Sequence, residues 1–353
     1  MASDFVLYGS TGYVGRAAAA LAVEQGLRPL LVGRNGEAVS QQATELGLEY
    51  RTVALDEPDA LDAILEDAPV VLNLAGPYLY THRPIVEACL RSGTHYLDIT
   101  GEPPVIESII GLDAEAMEQG VMLLPSVGFD VVPTDCLAAH LKRRLPAATK
   151  LSLVFTSDGP AGLPPGTLNT MIELIPYGSS KRHRVDGEVV DVVGARPTRT
   201  VDCGDGPVEA TLLTWGDIFL AHRSTGIPNI DVYAVLDAEV IRQMDVSDRM
   251  RVLFRSKFMR NVAKRTMKGG STQDERAHTS STVWGEVTDD EGNRAVSCLH
   301  GPEPGLVWTS RAALGAVVKV LSGDVSPGFQ TPSLAYGPDF ALEAEGVTRV
   351  DVA

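Results

Sequence analysis

Three short groups of residues in the first hundred positions have the types and spacing that handle a dinucleotide. The first is Tyr8-Gly9-Ser10-Thr11-Gly12-Tyr13-Val14-Gly15-Arg16, set between an apolar run, Phe5-Val6-Leu7, and an alanine-rich segment from Ala17 to Gln25. Strand, glycine turn and helix in that order bring backbone close to a pyrophosphate. The new helix then aims its free N–H groups and positive dipole end at the anion. Gly9 allows the tight turn, Gly12 the close approach and Gly15 the packing of helix on strand. The spacing is G-x-x-G-x-x-G rather than G-x-G-x-x-G, and a purely structural strand–helix turn is the alternative. The expected cofactor contacts here are Gly9, Ser10, Thr11, Gly12, Tyr13, Val14 and Gly15. The second group, Val32-Gly33-Arg34-Asn35, ends the next apolar run. A site for NAD places an acid there to accept from the ribose diol, whereas a guanidinium pairs with a 2′-phosphate. Gly33, Arg34 and Asn35 therefore point to NADP(H), unless Arg34 only ends the strand in solvent.

The third group, Asn73-Leu74-Ala75-Gly76-Pro77-Tyr78, follows a fourth apolar strand and suits the nicotinamide half, with Ala75, Gly76 and Pro77 small enough for close approach. Tyr78 and Tyr80 are candidate proton donors or ring-stacking groups, or ordinary half-buried aromatics. Asp98 and Glu102 flank Thr100-Gly101 beyond strand five. They read either as groups that position substrate or relay a proton, or as caps for the next helix. Asp130 and Asp135 carry the same ambiguity. Tyr78 and Asp98 are the expected catalytic pair. His82 reads as a proton donor or as the polar start of a helix at Pro84. Other chemistries find little footing. The seven histidines show no H-x-H or H-E-x-x-H spacing, so no metal is expected, and no G-x-S-x-G elbow occurs. The one Tyr-x-x-x-Lys match, Tyr177 to Lys181, reads as coincidence.

The elements that must position these groups alternate strand and helix through the first third. Strand patterns recur at 5–7, 29–32, 50–54, 70–73, 95–99 and 121–124, separated by helical segments, with Pro84 to Arg91 as the fourth helix. That is the signature of a parallel, doubly wound sheet with ligands at the carboxyl ends of its strands. After residue 150 the patterns turn β-rich, with a hairpin around Asp289-Asp290-Glu291-Gly292-Asn293. Ser157 to Pro160 and Pro164-Pro165-Gly166 read as one extended loop, and Lys181-Arg182-His183-Arg184 as a solvated turn. The fold class is α/β, a Rossmann-like doubly wound parallel sheet with a second α+β domain on a mostly antiparallel sheet. Expected divisions are 1–130, the dinucleotide-binding domain; 131–310, the substrate domain; and 311–353, a helix and tail packing back on the first domain.

Composition narrows the partners. A formal net charge of -16 over 353 residues argues against nucleic acid and against an anionic membrane surface. It requires local positive groups for an anionic cofactor, for which Arg16, Arg34 and Arg83 are available. The four cysteines are widely spaced without C-x-x-C, so reduced thiols are expected. No signal-peptide pattern or membrane-length apolar stretch is seen, which points to a cytoplasmic protein without a transmembrane segment. Peripheral contact with lipid stays open.

The same segments, taken together, resemble the saccharopine dehydrogenase-like oxidoreductases, and within them the branch that includes the trans-acting enoyl reductases of polyketide lipid synthesis. The resemblance rests on Gly9 to Arg16, Gly33-Arg34-Asn35, Ala75 to Tyr78, and His95-Tyr96-Leu97-Asp98-Ile99-Thr100-Gly101-Glu102. It continues in Gly128-Phe129-Asp130-Val131-Val132-Pro133-Thr134-Asp135, Trp215-Gly216-Asp217, Ser224 to Asn229 and Gly328 to Ser333. One departure is Thr81-His82-Arg83, where the branch usually has glycine. The resemblance implies NADP(H), a Rossmann domain, an antiparallel second domain and a cleft between them. It also implies an NADPH-dependent reductase that moves hydride to a polarised double bond of a small or lipid-like substrate such as an enoyl thioester. The proton would come from Tyr78, Asp98 or water. An imine-reducing amino-acid dehydrogenase of saccharopine type and an NADPH-binding sensor or scaffold without turnover are the rivals. A homodimer is an open expectation.

Overall fold

The computed structural model describes residues 3–177, 181–204, 206–236, 240, 241, 246, 248–266 and 269–352. The chain divides into two compact units, Met1–Val132 with Leu306–Tyr336, and Pro133–Gly305 with Gly337–Ala353.

Unit 1 is built on short strands, mostly apolar on both faces apart from the third, which is exposed. They are β1 (Val6–Tyr8), β2 (Leu30–Gly33), β3 (Tyr50–Thr52), β4 (Val70–Asn73), β5 (His95–Asp98) and β6 (Met122–Leu124). β1, β4 and β6 are buried along their whole length. Such strands need helices on both sides of the sheet. They pair in parallel in the order β6-β5-β4-β1-β2-β3, and a further parallel strand, Gly328–Phe329, joins β6. The switch in strand order lies between β1 and β4, where Tyr8 stands beside Asn73. Among the described residues the sheet has seven strands, which bears out the Rossmann-like expectation. The intervening helices are α1 (Tyr13–Glu24), α2 (Gly36–Leu46), α3 (Pro58–Leu65), α4 (Tyr78–Ser92), α5 (Pro103–Ile110) and α6 (Asp113–Gln119). The late helix Thr309–Leu321 packs on α1, β4 and β5.

The expected start of the fourth helix at Pro84 is corrected. α4 begins at Tyr78 and carries Pro84 inside it. Proline costs the N–H that would bond one turn back. The early start is held by Glu102, whose two carboxylate oxygens accept from the Tyr78 and Leu79 amides at 2.8 Å each. His82 thus lies within the helix rather than at its start. It is buried, its Nδ1 against the Tyr78 carbonyl at 2.7 Å and its Nε2 against Ser108 Oγ at 3.1 Å, which ties α4 to α5.

Unit 2 opens with α7 (Val132–Arg144) and β7 (Lys150–Asp158). There follow α8 (Pro165–Leu174), β8 (Arg182–Val185), β9 (Glu188–Asp191), β10 (Thr198–Val201), β11 (Val208–Leu212), α9 (Asp217–Thr225) and β12 (Asn229–Ala234). Then come α10 (Asp248–Phe254), α11 (Lys257–Thr266), β13 (Ser280–Thr288) and β14 (Arg294–Pro302). Its sheet runs β10-β11-β12-β7-β13-β14 and ends on the strand Thr348–Val352. All neighbours along that order are antiparallel except β12 with β7, as the mostly antiparallel expectation requires. β13 and β14 make the expected hairpin, with Thr288 opposite Arg294.

Three sequence expectations fail here. Pro165 opens α8 rather than prolonging a loop, because proline suits a first helical turn. The basic run is strand β8, in which Arg182 N donates to Thr214, His183 meets Asp231 at 2.8 Å and Arg184 reaches the Ile218 carbonyl. Cys203 and Cys298 are joined in a disulfide across a sequence separation of 95, so four reduced thiols are not what the structure holds. Cys298 sits in a core cluster with Val154, Leu212, Trp284 and Val296. Cys89 and Cys136 are free and buried, their thiols pushed up by burial.

Candidate functional site

The expected site residues of unit 1 converge on the carboxyl edge of its parallel sheet, where the turns after β1, β2, β4, β5 and β6 emerge. Gly9 has φ +82, and a Cβ there would lie 2.7 Å from the Ala75 amide nitrogen and 2.8 Å from the Leu74 carbonyl carbon. The turns after β1 and β4 are therefore in backbone contact across the switch point, and only glycine permits it. Gly15 is buried, and a side chain there would run into the Gly9 and Ser10 carbonyls. That is the helix-on-turn packing its spacing suggests. Gly12 is exposed at the N-cap of α1, and its missing Cβ would meet only the Gly9 oxygen at 3.2 Å and the Leu74 oxygen at 3.8 Å.

This turn fits an anionic dinucleotide. α1 starts without a side-chain cap and without an acid in its first turn, so its amide dipoles face outward uncompensated. Ser10 is buried, and its hydroxyl has no hydrogen-bond partner among the described residues. Gln42 on α2 holds the turn by donating to the Ser10 carbonyl at 3.0 Å, and Arg16 donates to the Thr11 carbonyl at 3.1 Å. Thr11, Tyr13 and Val14 are half-buried along the same rim.

β2 ends on the buried Gly33, and Arg34 after it is exposed. Asn35 is committed to capping α2, accepting from Ala38 N at 3.2 Å. Beside them Tyr8 donates to the Val53 carbonyl. Burial pushes its phenol up to about 12, with Arg34 opposing and Asp56 and Glu57 adding to the rise. The Arg34 charge thus acts on the same phenol as those two carboxylates. Arg83, the third cation considered for the cofactor, lies elsewhere. It is on the outer face of α4, paired with Glu87 at 2.7 Å.

The turn after β4 is supported by a buried polar chain. Asn73 Oδ1 accepts from the Ala75 amide at 3.0 Å, and Thr81 Oγ1 donates to the Ala75 carbonyl at 2.6 Å. Asn73 Nδ2 donates to the Tyr96 hydroxyl at 3.2 Å, and Tyr96 donates to Asp98 Oδ2 at 2.7 Å. Asp98 Oδ1 accepts from the Thr100 and Ser126 amides at 2.9 Å each. Asp98 is fully buried, and both its oxygens are taken up inside the protein. Burial pushes its carboxyl up to about 6, against the pull of those two amides and of Tyr96. Its geometry is that of a brace: it fixes the turn after β6, where Ser126 has φ +65, and through Tyr96 and Asn73 it fixes Ala75. Gly76 is exposed, Pro77 half-buried after a cis peptide bond, and Tyr80 is 49% exposed.

Tyr78 is buried at the start of α4. Burial first, then the charges of Asp98, Glu102 and Asp130, push its phenol well up. Asp130 carries a different potential, because burial pushes it up to about 7. It rests on Gly101, where a Cβ would lie 3.2 Å from its Oδ2. A carboxyl that titrates near neutrality can give or take a proton, whereas Tyr78 stays protonated and can only donate. Asp135 is buried in α7 and accepts from the Ser224 hydroxyl, in unit 2. Of the Tyr-x-x-x-Lys match, Tyr177 is 53% exposed, Lys181 binds the Gly194 carbonyl, and residues 178–180 lie outside the described residues.

Asn73, Tyr96, Thr81 and Gln42 carry the supports that sequence reasoning passed over. One signal was present: Tyr96 and Asp98, two apart in β5, share a face, and Asn73 stands opposite Asp98 in β4.

Comparison with known proteins bears on the nucleotide domain and on the fold. Residues 5–124 match the saccharopine dehydrogenase NADP binding domain. A trans-acting enoyl reductase from Mycobacterium leprae is 37% identical over 150 residues, 40% of this chain and 36% of its own. A trans-acting enoyl reductase from Mycobacterium tuberculosis is 34% identical over 149 residues, with the same coverage of 40% and 36%. The chain thus spans less than half the length of these relatives. Apo saccharopine dehydrogenase (L-Glu forming) from Saccharomyces cerevisiae shares the fold over 100% of both chains, with a TM-score of 0.64 at 14% identity. The family resemblance, the NADP-type nucleotide domain and the dehydrogenase-like fold are borne out.

Proposed function

Because residues 5–124 carry a saccharopine dehydrogenase NADP binding domain, we propose that this chain is an NADPH-dependent reductase acting on a polarised carbon–carbon double bond of an acyl thioester. The observation that carries the reading is the pairing of an uncapped glycine turn, which holds the buried Ser10 hydroxyl without a hydrogen-bond partner among the described residues, and an arginine in place of an acid after β2. The named activity of the mycobacterial relatives supports the enoyl substrate class.

When bound, NADPH supplies the hydride. The chain's own residues do the rest. The Gly9–Gly15 turn and the first amides of α1 take the pyrophosphate, and Arg34 pairs with the 2′-phosphate. The turn Ala75-Gly76-Pro77, held by Asn73 and Thr81, shapes the nicotinamide end. Tyr78 donates a hydrogen bond toward the reacting group, and Asp130 moves the proton. Asp98 is a positioning residue, its oxygens both spent on the neighbouring turns.

The experiment is a titration with NADPH and NADH followed by nicotinamide fluorescence, then steady oxidation at fixed NADPH with acceptors from two classes, 2-enoyl thioesters and 2-oxo acids with an amine. Preference for NADPH and turnover of the thioester are expected. Turnover only with the oxo acid and amine would move the reading to an imine reductase. Tight NADPH binding with no turnover would make the protein a nucleotide sensor.

A further inference from the structure

The acidic chain contains one dense block of positive charge that the dinucleotide site does not use. Residues 249–268 hold eight Lys and Arg and no Asp or Glu. Their described part forms α10 and α11, both in unit 2. α11 packs on α8, and α10 on α11 and on the turn Ile175–Tyr177.

α11 is seated inside out. Its inner face is charged: Arg260 pairs with Glu173 at 2.7 Å and Lys264 pairs with the same carboxylate, which is itself buried. Arg260 also donates to the Phe254 and Arg255 carbonyls at the end of α10, at 2.7 and 2.8 Å. On its exposed side stand Phe258, 73% exposed, and Val262, 40% exposed, one turn apart and beside Lys257, Asn261 and Arg265. On α10, Val252 and Leu253 are 59% and 50% exposed. Arg255, Lys257 and Arg265 lie exposed among them. A surface helix ordinarily turns these faces the other way.

We propose that α10 and α11 dock this protein on an anionic lipid surface, with Val252, Leu253, Phe258 and Val262 entering the headgroup–acyl boundary and the flanking cations meeting lipid phosphates. Phosphate charge matches the exposed cations Arg255, Lys257 and Arg265, between which the chain carries no Asp or Glu. Apolar side chains that stand this far out suit a soft interface that accepts protruding groups, which neither a nucleic-acid groove nor bulk water rewards. No helix among the described residues is long and apolar enough to cross a membrane, so the contact is peripheral. The net charge of -16 argues against such binding only when spread over the whole surface. At physiological salt, charges farther off than about 8 Å are largely screened, and the lipid feels the local block. The inference holds whichever acceptor the reductase uses.

The test is co-sedimentation of the full chain with vesicles of phosphatidylcholine, with or without 30 mol% phosphatidylglycerol, at 50 and 500 mM NaCl. Binding is expected only to the anionic vesicles, and it should fall at least tenfold at high salt. The double variant Leu253→Ser/Phe258→Ser and the charge variant Lys257→Glu/Arg265→Glu should each lose at least tenfold, with melting temperature and NADPH affinity unchanged. Phe258→Trp should shift its emission to the blue on adding anionic vesicles. Absence of sedimentation, or sedimentation equal in the Leu253→Ser/Phe258→Ser variant, would overturn the proposal. So would a dimer in equilibrium ultracentrifugation that this variant dissolves while vesicles stay unbound, or binding of a DNA duplex in place of vesicles.

Discussion

The turn at Gly9–Arg16 and the helices at 248–266 answer the same need in opposite ways: each offers positive potential on a chain of net charge -16. The turn does it with backbone. Its amides are fixed by glycines that no side chain could replace, by Gln42 beneath and by the Ala75 contact alongside. The helices do it with long side chains on an exposed surface. Fixed dipoles close to the ligand are screened little by salt, whereas exposed charges are screened a great deal. Preorganised backbone suits one small anion held in one pose, and mobile cations suit many phosphates in no particular pose.

Breaking the backbone side of this contrast should have the largest effect. Gly15→Val drives a side chain into the Gly9 and Ser10 carbonyls. It should abolish NADPH binding by fluorescence titration and cost about 1–3 kcal/mol of stability in denaturant melts, the usual range for overpacking. Arg34→Ala keeps the turn and removes one charge-assisted contact. NADPH affinity should fall roughly 10- to 100-fold, from a contact of about 1.5–3 kcal/mol, while NADH affinity stays level. Salt sharpens the contrast further. Between 50 and 500 mM NaCl, vesicle binding should drop at least tenfold and NADPH affinity by only about threefold, since much of the latter site is backbone. Tyr96→Phe leaves Asn73 and Asp98 each short of a buried partner. It should cost about 1–3 kcal/mol in stability and raise the KM for NADPH a few-fold with little change in kcat.

The smallest effect concerns pH. The Asp130 carboxyl titrates at about 7 in the folded chain against 3.8 as its ordinary value, so the folded state binds more protons between those two values. Its contribution is therefore present below about pH 4 and is lost as pH rises to about 7. Asp130→Asn should raise the melting temperature by a few degrees at pH 8 and leave it unchanged at pH 4. His82 works in the other direction. Its pKa is lowered chiefly by burial, so stability falls as pH drops below the ordinary 6.5, and His82→Gln should soften that acid limb.

Which features could be read from sequence follows from how far away their causes lie. The glycine turn, the apolar strands and the β13–β14 hairpin are local: spacing and turn residues within a dozen positions determine them. The start of α4 at Tyr78 was hidden because its cap, Glu102, comes from beyond the next strand. β8 reads as a turn in the sequence because its charged side chains find partners at Asp231 and Ile218, far along the chain. The Cys203–Cys298 link joins loop and strand with no motif to announce it. Asp98 is ambiguous in sequence, since the same residue type at a strand end serves as cap or as acid, and its partners decide. The block at 249–268 was in plain view as composition, but its inside-out seating depends on the buried Glu173.

Neither sheet is finished by the stretch of chain that begins it. β6 gains its outer neighbour only from Gly328–Phe329, and β14 gains its own from Thr348–Val352. A ribosome that has released β6 must add some two hundred residues before Phe329 appears, on the order of ten to forty seconds at roughly 5–20 residues per second. Through that interval the backbone edge of β6 is an open template within the nascent chain, and the cell's holdases have a defined strand to cover.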